Sequence, residues 1–195
     1  MTVEPQPLDL GPSIATLHLE VSTNLMFGGA LMKTQRGFSL IELLIVVAII
    51  LIIAAIAIPN LMRSRMAANE SSAVGSVRTI NTSMVAYAAA FPDTGYAGSL
   101  VALGGAVGGC LPGTVATIAA SCLIDPTLAA GTKSGYRFAA AGAAVGATVN
   151  NTYTVTAVPQ GIGSTGNRGF YSDQSGVIRY SLNGAAPTTA SSPLQ

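Results

Sequence analysis

Phe38–Ile58 reads FSLIELLIVVAIILIIAAIAI, twenty-one residues whose single charge is Glu42. As an α-helix it would be about 31 Å long, close to the ~30 Å hydrocarbon core of a bilayer. Length and hydropathy therefore define a membrane segment. A carboxylate inside such a segment costs several kcal/mol unless it is paired, so Glu42 is a functional candidate. The plainer reading places it near the interface, reaching water.

Immediately before this run stand Lys33, Arg36 and Gly37. A cleaved secretory signal is cut beyond its apolar region at small residues, a pattern Ala54, Ala55 and Ala57 can mimic. Here, however, a small residue also stands in front, at the water interface. The stretch Lys33-Thr34-Gln35-Arg36-Gly37-Phe38-Ser39-Leu40-Ile41-Glu42 resembles the class III signal of type IV pilins and pseudopilins. Gly37, Phe38, Glu42 and Pro59 each stand where that family has them. The resemblance implies cleavage between Gly37 and Phe38 by a membrane aspartic peptidase, N-methylation of Phe38, and retention of the apolar helix. It also implies a partner for Glu42, the new amino group of Phe38 on a neighbouring subunit. Such a buried pair adds little net stability but penalises wrong register.

Residues 1–31 differ from the rest. They contain no Lys or Arg, carry Glu4, Asp9 and Glu20, and hold the one histidine, His18. A secretory amino-terminal region should be basic. Translation from Met32 would give the short leader Met-Lys-Thr-Gln-Arg-Gly; the alternative is a genuinely long leader. In both cases residues 1–37 are expected to be removed.

Pro59 closes the apolar run. Proline removes one helical hydrogen bond and clashes with the preceding turn, so the helix either ends at Pro59-Asn60 or continues with a kink. Continuation is favoured because helical periodicity resumes at once. Ala73, Val77, Ile80, Met84, Tyr87 and Phe91 form one apolar stripe, with Ser76, Arg78, Thr79, Asn81 and Ser83 assigned to the other face. Gly75 weakens this helix by about 1 kcal/mol relative to alanine. Pro92-Asp93-Thr94-Gly95 ends it. The stripe is core for a sheet rather than a cofactor site.

Residues 95–134 read as irregular. They contain Cys110 and Cys122, which lack CxxC spacing, and the chain after Gly37 has no histidine, so zinc is not indicated. Two cysteines in an exported chain read as one disulfide, worth about 3 kcal/mol in the chain-entropy model. Two free buried thiols are the alternative. Strands are expected at 136–140, 152–158, 169–172 and 177–181, with Asp173-Gln174-Ser175-Gly176 as a hairpin connection. Pilins and pseudopilins have a similar sheet pattern here. Residues 184–195 read as a mobile tail.

The fold class is thus α+β: a long amino-terminal helix packed on a roughly four-stranded antiparallel sheet, the pilin fold. The organisation is a leader over 1–37, an apolar helix over 38–58, its amphipathic continuation over 59–91, a head over 92–183 and the tail. After Gly37 seven bases face five acids without a basic stripe, so no specific nucleic-acid partner is indicated. Catalysis is not expected either: after Gly37 there is no histidine or tryptophan, and Lys133 is the one lysine. Asp93, Asp125 and Asp173 lie beside Pro or Gly, where aspartate serves turns. No metal or other cofactor is expected.

The resemblance implies a self-polymerising filament subunit, with membrane lipid, prepilin peptidase/methylase and the pilus assembly platform and ATPase machinery as partners. It also implies an amino end in the cytoplasm and a head outside the inner membrane, then at the cell surface. Charge alone leaves topology tied, since Lys33 and Arg36 precede the span and Arg63 and Arg65 follow it. A pseudopilin of a type II secretion system is the alternative within the family. Its major members carry a calcium-binding carboxyl-terminal loop, and here one acid, Asp173, stands in the corresponding region. A membrane-tethered periplasmic binding module is the alternative from another class.

Overall fold

A computed structural model describes residues 37–106 and 109–194. The expected leader up to Arg36, including the start at Met32, lies outside the described residues.

Helix α1 spans Leu40–Ala90, 51 residues without interruption. It follows from two kinds of sequence. The first, up to Ile58, is Leu, Ile, Val and Ala apart from Glu42, with no Gly or Pro. The second is held by its buried stripe: Ala73, Val77, Ile80 and Met84 are fully buried and Tyr87 nearly so. The helix runs through Pro59 rather than ending there. Its stop is local: Phe91 N donates to Tyr87 O at 2.9 Å, and Gly95, at φ +75°, takes the left-handed conformation that turns the chain.

The sheet is a six-stranded antiparallel meander: β1 (Thr132–Lys133), β2 (Tyr136–Ala143), β3 (Thr152–Pro159), β4 (Gly169–Asp173), β5 (Arg179–Ser181) and β6 (Ser192–Pro193), each hydrogen-bonded to the next. The four expected strands are the four central ones. The two additions are two-residue edges that carry no period-2 signal. A tight turn makes the first: Ser134 at φ +49° and Gly135 at φ +71° join Lys133 to its partner Tyr136.

In β3, Tyr153, Val155 and Ala157 point into the core between outward threonines. The register places Phe138, Ala157, Phe170 and Tyr180 in one row across β2 to β5. β3 and β4 lie against α1.

Three expectations are corrected. Residues 95–134 are not wholly irregular, because α2 (Leu100–Gly104) and α3 (Pro126–Ala129) form there. Ser99 caps α2 through Ala102 N, and Asp125 caps α3 through Leu128 N. Ser76 and Ser83, assigned to the face opposite the stripe, are buried, and the segment after α2 covers the helix at Ser83: Ser83 Oγ donates to Leu123 O, and Tyr87 Oη donates to Ile118 O at 2.8 Å. The tail is not loose, because β6 pairs with β5 and Leu194 N donates to Ile178 O at 2.7 Å. Leu194 packs on the core, which polar composition around it concealed.

Candidate functional site

The head begins to grip α1 at Asn69. Asn69 Nδ2 donates to Thr165 O at 2.9 Å, and Ser72 Oγ donates to Ser134 Oγ. Beside them lies the one charged group that is buried on the helix, Glu70. Its Oε1 accepts from Asn167 N at 2.8 Å and Arg168 N at 3.3 Å, and its Oε2 accepts from Arg168 Nε at 2.7 Å. Burial alone would raise the Glu70 pKa. The hydrogen bond from Asn167 N, then the bonds and charge of Arg168, outweigh it and hold the carboxyl below its ordinary range. The Arg168 guanidinium lies 5.9 Å from the ring centres of both Phe170 and Tyr180. Sequence reasoning missed this pair. The signal existed: stepping three residues back along the stripe from Ala73 reaches Glu70, an acid at a core position.

Amino-terminal to that grip, nothing among the described residues covers the helix. From Phe38 to Ile58 the large apolar side chains are all exposed, from 45% for Val47 to 80% for Leu40. This is the feature no isolated soluble domain sustains: a contiguous apolar surface all round a helix requires lipid or another apolar partner. It is the described helix long and apolar enough to cross a membrane.

The sequence-derived site residues fall into two groups. Gly37 and Phe38 lie just ahead of this bare rod, Glu42 at its start and Pro59 at the end of its apolar run. Gly37 and Phe38 precede the first helical turn as non-helical backbone, and Phe38 is 72% exposed. A Cβ added at Gly37 would meet nothing within 4 Å, so the fold itself does not demand glycine there. Glu42 sits in the first turn, where a carboxylate complements the helix dipole. Ser39 is at the N-cap but makes no side-chain capping bond.

Cys110 and Cys122 form the second group. They are joined in a disulfide with Cα atoms 5.6 Å apart, in the segment that covers the far end of α1. Cys122 adopts φ +55°, between two backbone bonds that pin its neighbours Ser121 and Leu123 to α2. Asp173 accepts from Ser175 N at 2.9 Å as part of the β4–β5 turn.

Comparison with known proteins concerns the amino-terminal part. The model of the prokaryotic N-terminal methylation motif matches residues 32–58. The type IV wide pilus major component PilA4 of Thermus thermophilus is 58% identical over 40 residues, which is 20% of this chain and 30% of that protein. No solved structure matches the chain. The bare rod and the residues before it thus carry the N-terminal methylation motif of prokaryotic type IV prepilins, and in that region the chain is similar to a type IV pilin.

Proposed function

We propose that this chain is the structural, non-catalytic subunit of a type IV pilus-like filament. The prepilin is inserted with its amino end in the cytoplasm and its head outside. It is cut between Gly37 and Phe38, N-methylated on Phe38, and polymerised through α1. The uncovered apolar half of α1, continuous with a half that holds a folded head, carries this reading. In lipid that surface has no cost. On leaving lipid it must be covered by something equally apolar, and identical rods provide it.

Within such a bundle the Glu42 carboxylate needs a cation, and the amine freed at Phe38 of a neighbour supplies one. Pro59 lacks the N–H that would bond Ala55 O, which gives the rod a point where it bends or locally loosens during packing.

Intact mass of the chain recovered from cells tests the processing. The expected mass is that of residues 38–195 plus one methyl group, less the two hydrogens of the disulfide. A mass showing Phe38–Ile58 removed would refute the reading. Glu42→Ala is expected to abolish filaments in the sheared extracellular fraction while leaving cleavage at Gly37 intact. Normal filaments from that variant would remove the ion pair from the account. A chain found only as a membrane monomer would favour the tethered binding module, and one confined to the periplasm of a secreting cell the pseudopilin.

A further inference from the structure

Between Glu42 and Glu70 the chain has no acid and two bases, Arg63 and Arg65. Both are exposed on α1 and are the first charges beyond the apolar run. At about 1.5 Å per residue, Arg63 stands about 7.5 Å and Arg65 about 10.5 Å beyond Ile58 along the axis. A headgroup layer extends about 5–7 Å beyond each face of the hydrocarbon core. With Phe38–Ile58 filling that core, both arginines start just above the phosphates, and their long stems lie back toward them.

The rest of this turn fits the same environment. Asn60 stands three residues before Arg63 and four before Ser64, so it neighbours both on the helix surface, and Asn60 and Ser64 are exposed. Leu61 and Met62, exposed at 70% and 50%, are apolar at the boundary. The hydrogen bonds from the head begin only at Asn69. The acids of the head are placed elsewhere: Glu70 is held by Arg168, Asp125 by Lys133, and Asp93 and Asp173 lie at the end of α1 and in the β4–β5 turn.

We propose that Arg63 and Arg65, with Asn60 and Ser64, form a collar that binds the phosphate headgroups of anionic lipid in the leaflet on the head's side. The collar holds the unassembled subunit at one depth. It rests on the reading of Phe38–Ile58 as a membrane span. It also gives the charge symmetry around the span a role, with the two arginines after it serving as lipid ligands.

The test uses the full chain in neutral detergent micelles doped with phosphatidylglycerol or phosphatidylcholine, with bound lipid counted by native mass spectrometry. Preferential retention of phosphatidylglycerol is expected. The double variant Arg63→Gln/Arg65→Gln should lose about fivefold in retention per arginine, about thirtyfold in all, with salt eroding the wild-type preference. Arg78→Gln, an exposed arginine on the head-bearing half of α1, should change nothing. Equal retention of both lipids by the wild type, unchanged retention by the double variant, or an equal loss in Arg78→Gln would overturn the collar. Alkaline carbonate extraction separates the two failures. A chain that stays in vesicles without lipid preference overturns the collar alone, and one washed out of vesicles of either lipid overturns the membrane span too.

Discussion

Glu70 is the residue whose replacement should most cleanly separate the head from the rod. Glu70→Ala deletes three hydrogen bonds to a buried carboxylate, from Asn167 N, Arg168 N and Arg168 Nε. Bonds to charged groups are worth about 1.5–3 kcal/mol each. The loss is smaller than their sum because the Arg168 side chain is 39% exposed and recovers water. A net cost of about 2–3 kcal/mol follows, below the ~3–5 kcal/mol typical when a fully buried pair is broken. Glu70→Gln, which keeps the shape and one acceptor, should cost about half as much.

All six tyrosines lie between Tyr87 and Tyr180, so near-ultraviolet circular dichroism of the micellar protein reports head unfolding without the apolar rod. Arg168→Ala should cost more than its ion pair alone, because its guanidinium also covers Phe170 and Tyr180. The double-mutant coupling between the two positions should be about 1–2 kcal/mol. The pH dependence has a fixed sign. A carboxyl held below its ordinary value of 4.5 stabilises fully above that value and loses its contribution as pH falls through the lower, folded value. The gap between wild type and Glu70→Gln should therefore close on acidification below 4.5. A gap unchanged from neutral pH through that window, or an alanine cost under about 0.5 kcal/mol, would refute the reasoning.

Ile80→Ala empties a fully buried position between α1 and the sheet and should cost about 2–5 kcal/mol in the same unfolding assay. Reduction of Cys110–Cys122 should lower head stability by about 3 kcal/mol, and its thiols should stay unreactive until a reductant is added. Two glycines should respond oppositely to alanine. At Gly166 the new Cβ would collide with the Tyr136 hydroxyl, which donates to Arg168 O at 2.8 Å, so the head should lose about 1–3 kcal/mol. At Gly75 the Cβ enters open space on a helix, so the head should gain about 1 kcal/mol.

The rod and the central strands were legible because their signals are periodic. An apolar run of this length reads as a helix whatever its use, and the stripe from Ala73 to Tyr87 is the buried face itself. Elements whose formation depends on distant neighbours were not legible. β1 and β6 are two residues each, so alternation cannot announce them, and β6 exists because the edge of β5 and a site for Leu194 await it. Ser83 was assigned to the face opposite the stripe because nothing local says that Leu123 O will lie above it. Gly37, Phe38, Glu42 and Pro59 were named from a contiguous motif at and after the start of α1, which needs no folding to read. Glu70 and Arg168, 98 positions apart, are joined only by the complete fold.

The order of the strands matters for a chain that is made amino end first. Each strand of the head pairs with the one made just before it, so no segment has to wait for a later one to reserve its place. The loops closed along the way are short, which keeps the entropic cost of each addition small. The helix precedes the sheet in the chain, every new hairpin finds a finished border to join, and Leu194 latches the sheet after the other strands are in place.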